Sequence, residues 1–306
     1  MLSLRGNKCS AFVHPEGMRS PVRSLLTSIV LFVLSTPASA QTEVAAFEAY
    51  PWIQDVSGPI PNLTTLQSRF SVPAGFKRVP VVPGSYAAWL RGLPIRTDRT
   101  DVLAYNGRAL SRPSAAIVFI DVGKRDLMQC ADSVIRLHAE YLWSSGKADQ
   151  AGYRFTSGDL SRWSDWKAGE RFVVGRTVKR VSGEPRSGSH ASYRRWLDLI
   201  FMYAGTSSLS RDAWTPPSTQ PIAAGDFFVD PGFPGHAVIV LDVAVNAAGD
   251  RLGLIGQGFM PAEDVHVLES TKAVDAHWFQ LPSAEGERLD TPSWRPFSRS
   301  ARRRIR

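Results

Sequence analysis

The sequence predicts an α+β domain, and three observations carry that expectation. Residues 225–229, 236–244 and 251–257 read as three consecutive strands, the last two joined by the turn sequence Asn246-Ala247-Ala248-Gly249-Asp250. Residues 115–122 (AAIVFIDV) form an unbroken apolar run of the kind that builds a buried central strand. Residues 127–143 carry Leu127, Ala131, Val134, Leu137 and Tyr141 at three- and four-residue steps, the period of a helix with one apolar face.

The composition fits a globular chain. At 306 residues, 43% hydrophobic and 21% charged, it is neither collagen-like nor disordered, and it is long enough to bury a core. Two cysteines exclude a disulfide framework and every Cys-rich zinc module. The net charge is +8, falling to +5 once the expected signal segment is removed, and this basic balance suits an anionic envelope polymer. No H-E-x-x-H, P-loop or G-x-G-x-x-G motif is present, so no metal, no cofactor, no nucleotide and no nucleic acid is expected.

In chain order, residues 1–40 read as a cleavable signal peptide. Arg19 and Arg23 precede the apolar run 25–34, too short to span a bilayer, and Ala38-Ser39-Ala40 supplies an A-x-A cleavage pattern. Met18 gives an alternative start of more usual length. The expected location is periplasmic or secreted, with no transmembrane segment after signal removal. Residues 41–68, with several prolines, read as an N-terminal extension, and 69–290 as the domain. Within it, residues 70–72 and 77–82 look extended and 85–90 helical. A strand at 102–105 enters an Asn106-Gly107 turn, a pair that tolerates positive φ. A Trp- and Gly-rich stretch (153–171), a basic loop (179–186) and a second helix (191–203) precede the strands. Residues 291–306, rich in arginine and without an acid, read as a solvated, disordered tail.

Cys9 lies in the signal segment, so Cys130 is the one cysteine of the exported chain. With Asp126 as N-cap and Gln129 three residues on, Cys130 falls in the first helical turn, where unpaired N–H groups and the helix dipole favour a thiolate. That placement is expected to lower its pKa and to offer its own N–H as an oxyanion donor. A cysteine nucleophile needs a base, and five histidines follow the signal. His138 shares the helix but lies too far along it, and His190 sits in a Ser/Arg-rich loop. His236 opens a strong strand after Pro231-Gly232-Phe233-Pro234-Gly235, with His266 and His277 as alternatives. Gln257 ends the strand that returns beside His236 and can orient the imidazole, provided the register puts both on one face. Asp242 is the weaker orienter.

These residues carry a resemblance. Gly225-Asp226-Phe227-Phe228 followed by Pro234-Gly235-His236-Ala237-Val238-Ile239-Val240 resembles the paired strands of NlpC-type papain-like cysteine peptidases and amidases. More specifically, four blocks resemble domain-of-unknown-function family 4846, exported bacterial proteins. They are Leu127-Met128-Gln129-Cys130-Ala131-Asp132, Gly205-Thr206-Ser207-Ser208-Leu209, Pro234-Gly235-His236-Ala237 and Gln257-Gly258-Phe259-Met260-Pro261-Ala262. The likeness covers roughly residues 69–280. It implies a papain-like α+β fold, with the nucleophile helix packed on an antiparallel sheet. Cys130 would be the nucleophile, His236 the general base and acid, and Gln257 its orienter, acting on amide bonds such as those of cell-wall peptides, with peptidoglycan or another envelope polymer as the partner. Gln129, Trp166, Phe259 and Met260 would line the substrate groove. Trp143, Trp163, Trp166 and Trp196 read more readily as core or groove wall than as a sugar platform. The competing expectations are a non-catalytic envelope binding protein on the same scaffold, with Cys130 merely buried, and a redox-sensing thiol.

Overall fold

The structure is a computed structural model and describes residues 47–292 and 294–305. The expected signal peptide and its cleavage site lie outside the described residues. A nine-stranded antiparallel sheet organises the chain. Its strands are β1 (Phe76–Arg78), β2 (Ser114–Ile117), β3 (Ala213–Trp214), β4 (Asp226–Asp230), β5 (His236–Asn246), β6 (Arg251–Gln257), β7 (His266–Leu268), β8 (Trp278–Gln280) and β9 (Arg302–Ile305). The order is β3-β9-β4-β5-β6-β7-β2, with β1 paired to the far half of β5 and β8 to β6. All three consecutive strands expected from the sequence are present at its centre.

The sheet separates two apolar layers. Ala237, Ile239 and Leu241 of β5 face a large core, and Val238 and Val240 face a smaller one with Phe228, Ile255, Phe279 and Phe297. A bulge between Val240 and Asp242 shifts the alternation, so Val243 returns to the small layer and Ala244 to the large one. Helices α1 (Tyr86–Arg91), α2 (Cys130–Ser144), α3 (Trp163–Lys167), α4 (His190–Tyr203) and α5 (Thr206–Asp212) contribute to the large layer or flank it. Trp163 and Trp196 are fully buried there, both against Tyr193, with ring centroids 5.0 and 5.2 Å away. That burial excludes these two indoles from any sugar platform.

Four sequence expectations are corrected. The run 115–122 forms only the short strand β2, and it lies at the sheet edge rather than its centre. An apolar run reports burial on both faces, not centrality. Here the edge is covered by residues 94–96, where Ile95 bridges Val118 and Phe119 N donates to Pro94 O, and by the N-terminal segment, whose Trp52 Nε1 donates to Phe119 O at 2.5 Å. That segment is therefore part of the core: Phe47, Tyr50, Trp52 and Ile53 are all buried. Helix α2 starts at Cys130, three residues later than an Asp126 cap would place it. The Asp126 carboxylate is engaged elsewhere, accepting from Ala262 N at 2.7 Å and Gln129 Nε2 at 3.1 Å. Gln129 takes the N-cap position, and its N–H donates to the Asp132 carboxylate at 3.1 Å.

The arginine-rich tail is folded rather than disordered, although Arg295 remains exposed. Its last described residues form β9, paired with both β3 and β4. Buried Asp226 accounts for this, accepting from Arg302 Nε at 2.8 Å and Arg304 Nε at 2.5 Å. A hairpin forms at Asn106-Gly107 between Val102–Leu103 and Ala109–Leu110, but its loop also includes Tyr105, and of the expected pair Gly107 alone has a positive φ, +81°. Among the described residues, no helix is long and apolar enough to cross a membrane.

Candidate active site

Strand register decides which side chains meet. Ile239 pairs with Gly256, and continuing that register by one sets Gln257 opposite Val238. His236 is the next residue on the same face, a diagonal neighbour within side-chain reach. The contact is made: His236 Nε2 and Gln257 Oε1 are 2.9 Å apart, both side chains buried. Gln257 pairs directly with His266 across β6 and β7, and its Nε2 lies 3.4 Å from His266 Nε2. His266 Nδ1 in turn reaches Asp264 O at 3.0 Å. Three neighbouring strands thus place two imidazoles and one amide in a row. From the sequence, His266 is only an alternative base. The signal for its true place was the return of a strand nine residues after Gln257.

The outer side of the row is aromatic. Phe259 stands edge-on to His236 at 4.7 Å between centroids, and Trp294 and Phe297 follow at 5.2 and 6.1 Å. Arg112 lies 4.7 Å above the Phe259 ring and donates to Met260 O at 2.8 Å. Trp294 is fixed by Asp230, which accepts its indole N–H at 3.0 Å. Phe259 therefore borders the imidazole side of the site, while Met260 beside it is exposed and is tied to Arg112 through its backbone carbonyl. Trp166 sits on α3, its indole nitrogen on Ser192 of α4 at 3.2 Å and its ring under Arg171 at 3.8 Å.

Cys130 is the first residue of α2, and its sulfur meets the backbone at the start of β5. The thiol donates to Gly235 O at 3.9 Å, and the N–H groups of Ala131, Ala237 and Cys130 itself also face it. Gly258 makes this approach feasible. A Cβ there would overlap Ser133 Oγ, in the first turn of α2. Gly258→Ala is expected to cost about 1–3 kcal/mol through overpacking. Adding Ser133→Ala should recover part of it, read as urea midpoints of the single and double variants.

The thiol–imidazole hydrogen bond expected from the sequence is not formed. His236 Nδ1, although buried, has no hydrogen-bond partner, and the thiol is spent on Gly235 O. The expected depression of the thiol pKa is also reversed. Burial, reinforced by the Asp132 carboxyl, pushes Cys130 up to about 11, and the three N–H groups offset only part of this. Burial likewise lowers both His236 and His266 to about 4. At neutral pH the resting site therefore holds a neutral thiol and neutral imidazoles.

His138 binds Tyr153 Oη at 2.9 Å, and His190 opens α4 between Glu140 and Asp55. Asp242, the weaker candidate orienter, is held by Arg78 and Arg91 at 2.7 Å each. A cavity of about 600 Å³ lies at the C-terminal end between Thr215, Glu285 and Arg302, and one of about 390 Å³ lies between Tyr86, His138 and Arg304. Neither is lined by Cys130 or His236. Among the described residues, no group of three or more His, Cys, Asp or Glu is placed to hold a metal ion.

A family model described as a domain of unknown function (4846) matches residues 66–304. The chain belongs to that family. The match reaches from the residues that follow the N-terminal segment to β9, so the C-terminal strand is part of the family domain. No curated protein and no solved structure matches the chain significantly.

Proposed function

We propose that this member of family 4846 is an exported papain-like cysteine hydrolase or acyltransferase acting on amide bonds, with cell-wall peptides the substrate class that the resemblance to NlpC-type enzymes implies. The observation that carries the reading is the His236–Gln257 bond of 2.9 Å with His236 Nδ1 left unpartnered, beside a strand end that a helix-N-terminal cysteine touches. An imidazole held through Nε2 presents Nδ1 as the base. Once the thiol turns from Gly235 O, Nδ1 takes its proton and sulfur attacks the carbonyl carbon. The C–N bond then breaks as the imidazolium returns the proton to the leaving amine, and water or an amine releases the acyl group. The N–H groups of Cys130 and Ala131 supply dipoles at the helix end for the developing negative charge. Burial heads the causes that keep both partners neutral, so a polar substrate entering the site would ease the transfer.

A second reading rests on the burial itself. Cys130 is only 6% exposed and neither cavity opens on it, which favours a binding protein on the same scaffold with an inert thiol. An activated acyl ester separates the two. On incubation of native protein with p-nitrophenyl acetate, the hydrolase reading expects one acetyl group on the Cys130 peptide by mass spectrometry. The same treatment should leave His236→Ala largely unmodified. Equal acylation of both proteins, or none of either, speaks for the binding protein.

A further inference from the structure

We propose that the cavity of about 390 Å³ lined by α1, α2 and β9 is a binding site for a small aromatic carboxylate, its anionic end held by Arg304 and Lys147. Neither Cys130 nor His236 lines it, so this site is separate from the proposed hydrolytic one.

Arg304 brings an incompletely paired cation to the cavity. Its Nε donates to Asp226 Oδ1 at 2.5 Å, and that carboxylate also takes Arg302 Nε at 2.8 Å. Two guanidiniums therefore meet one carboxylate, and positive charge is left over. Nη2 of Arg304 is buried without a hydrogen-bond partner, and Nη1 finds none among the described residues. An unmade hydrogen bond on a charged group is costly, and an oxyanion in the cavity can pair with the end of the guanidinium that Asp226 leaves free. Lys147, just beyond α2, adds a second cation; it is exposed and has no ion pair among the described residues. No Asp or Glu is among the lining residues, so nothing in the wall cancels these charges.

The rest of the wall is aromatic and aliphatic. The Tyr86 ring lies 5.0 Å from Tyr141 and 5.7 Å from His138 between centroids. Gly225 lets it lie there, since a Cβ at that position would come within 2.8 Å of Tyr86 Cδ1. Two of the three rings are braced: Tyr141 Oη donates to Gly84 O at 3.1 Å, and His138 Nδ1 is 2.9 Å from Tyr153 Oη. Burial lowers His138 to about 4, so at neutral pH it adds no third charge. Leu142, Ala224 and Ile305 supply aliphatic surface. A pre-formed pocket of this size, mostly apolar with a few convergent polar groups, suits a small ligand. A carboxylate on a flat apolar body matches both parts of it. A cationic ligand would meet like charge, and a neutral one would leave Arg304 unpaired.

Phenylacetate, phenylacetamide and acetate, titrated into the folded protein and read in ¹H–¹³C methyl spectra, separate the contributions of charge and ring and locate the ligand. Phenylacetate should bind with a Kd of about 1 mM or tighter. It should shift the methyl signals of Leu142, Ala224 and Ile305. Phenylacetamide, without the charge, and acetate, without the ring, should each bind about tenfold or more weakly. Arg304→Gln should weaken phenylacetate by about tenfold and leave phenylacetamide unchanged. If Arg304→Gln does not fold, two other variants decide. Lys147→Gln should weaken phenylacetate about threefold, and Ala224→Trp, which fills the cavity, should abolish its binding. An affinity for phenylacetate no better than for its amide overturns the proposal. So do methyl shifts confined to other parts of the molecule, or undiminished binding by Ala224→Trp. None of these readouts involves Cys130, so either proposal can fail while the other stands.

Discussion

Asp226→Ala is expected to lower the unfolding free energy by about 3–5 kcal/mol, the usual cost of leaving a buried charge without its partner. Asp226 has no exposed surface and accepts three hydrogen bonds, from Arg302, Arg304 and the Ala223 N–H. Arg302 is 3% exposed, so losing Asp226 leaves its buried charge without a counter-ion, although Nη1 and Nη2 still donate to Gln220 O and Pro221 O. The loss should appear as a lower urea midpoint, and Asp226→Ala/Arg302→Leu should be more stable than Asp226→Ala. A loss below about 1 kcal/mol would mean that β9 is held by its ladder alone.

Arg136→Ala is expected to cost a comparable amount, about 3–5 kcal/mol. Arg136 and Glu140 are both fully buried on α2, 2.7 Å apart, and Arg136 also reaches the Asp121 carboxylate at 2.7 Å. Without Arg136, the Glu140 carboxylate keeps His190 Nε2 at 2.9 Å. Burial disfavours the charged His190 ring, but the bonds to Glu140 and Asp55 outweigh it, so its pKa is raised. A raised histidine stabilises the fold fully below its unfolded value of about 6.5, and the gain is lost as pH rises through the folded pKa. In Arg136→Ala that dependence should steepen, because Arg136 opposes the charge on His190. Urea melts of both proteins at a series of pH values above about 6 measure it; equal slopes would contradict it.

The centre of the sheet was legible because long strands announce themselves. Residues 236–246 and 251–257 are long, mostly apolar runs joined by a Gly-containing turn, so the nearness of His236 and Gln257 followed from topology. Their common face did not, since it depends on a register fixed by contacts elsewhere in the fold. His266 stayed out of view because its strand is three residues long and carries almost no pattern. The tail misled for a different reason. Its arginines read as solvated, while the acid that neutralises two of them lies 76 residues earlier for Arg302 and 78 for Arg304. The state of the thiol was also beyond the sequence. A helix N-terminus lowers a thiol pKa and burial raises it, and only the packed structure tells which dominates.

The central claim is that His236 serves Cys130 as a base, and the pH profile of alkylation tests it most directly. Between the His236 pKa of about 4 and the Cys130 pKa of about 11, the neutral pair has a constant population. Iodoacetamide should therefore label native Cys130 at a rate nearly flat from about pH 5 to pH 9, since removal of the thiol proton is assisted by an imidazole that stays neutral throughout. His236→Ala has no such base, and its rate should be much lower at pH 6 and climb about tenfold per pH unit with the thiolate. Profiles that climb in parallel in both proteins, or labelling only under unfolding conditions, would contradict the account.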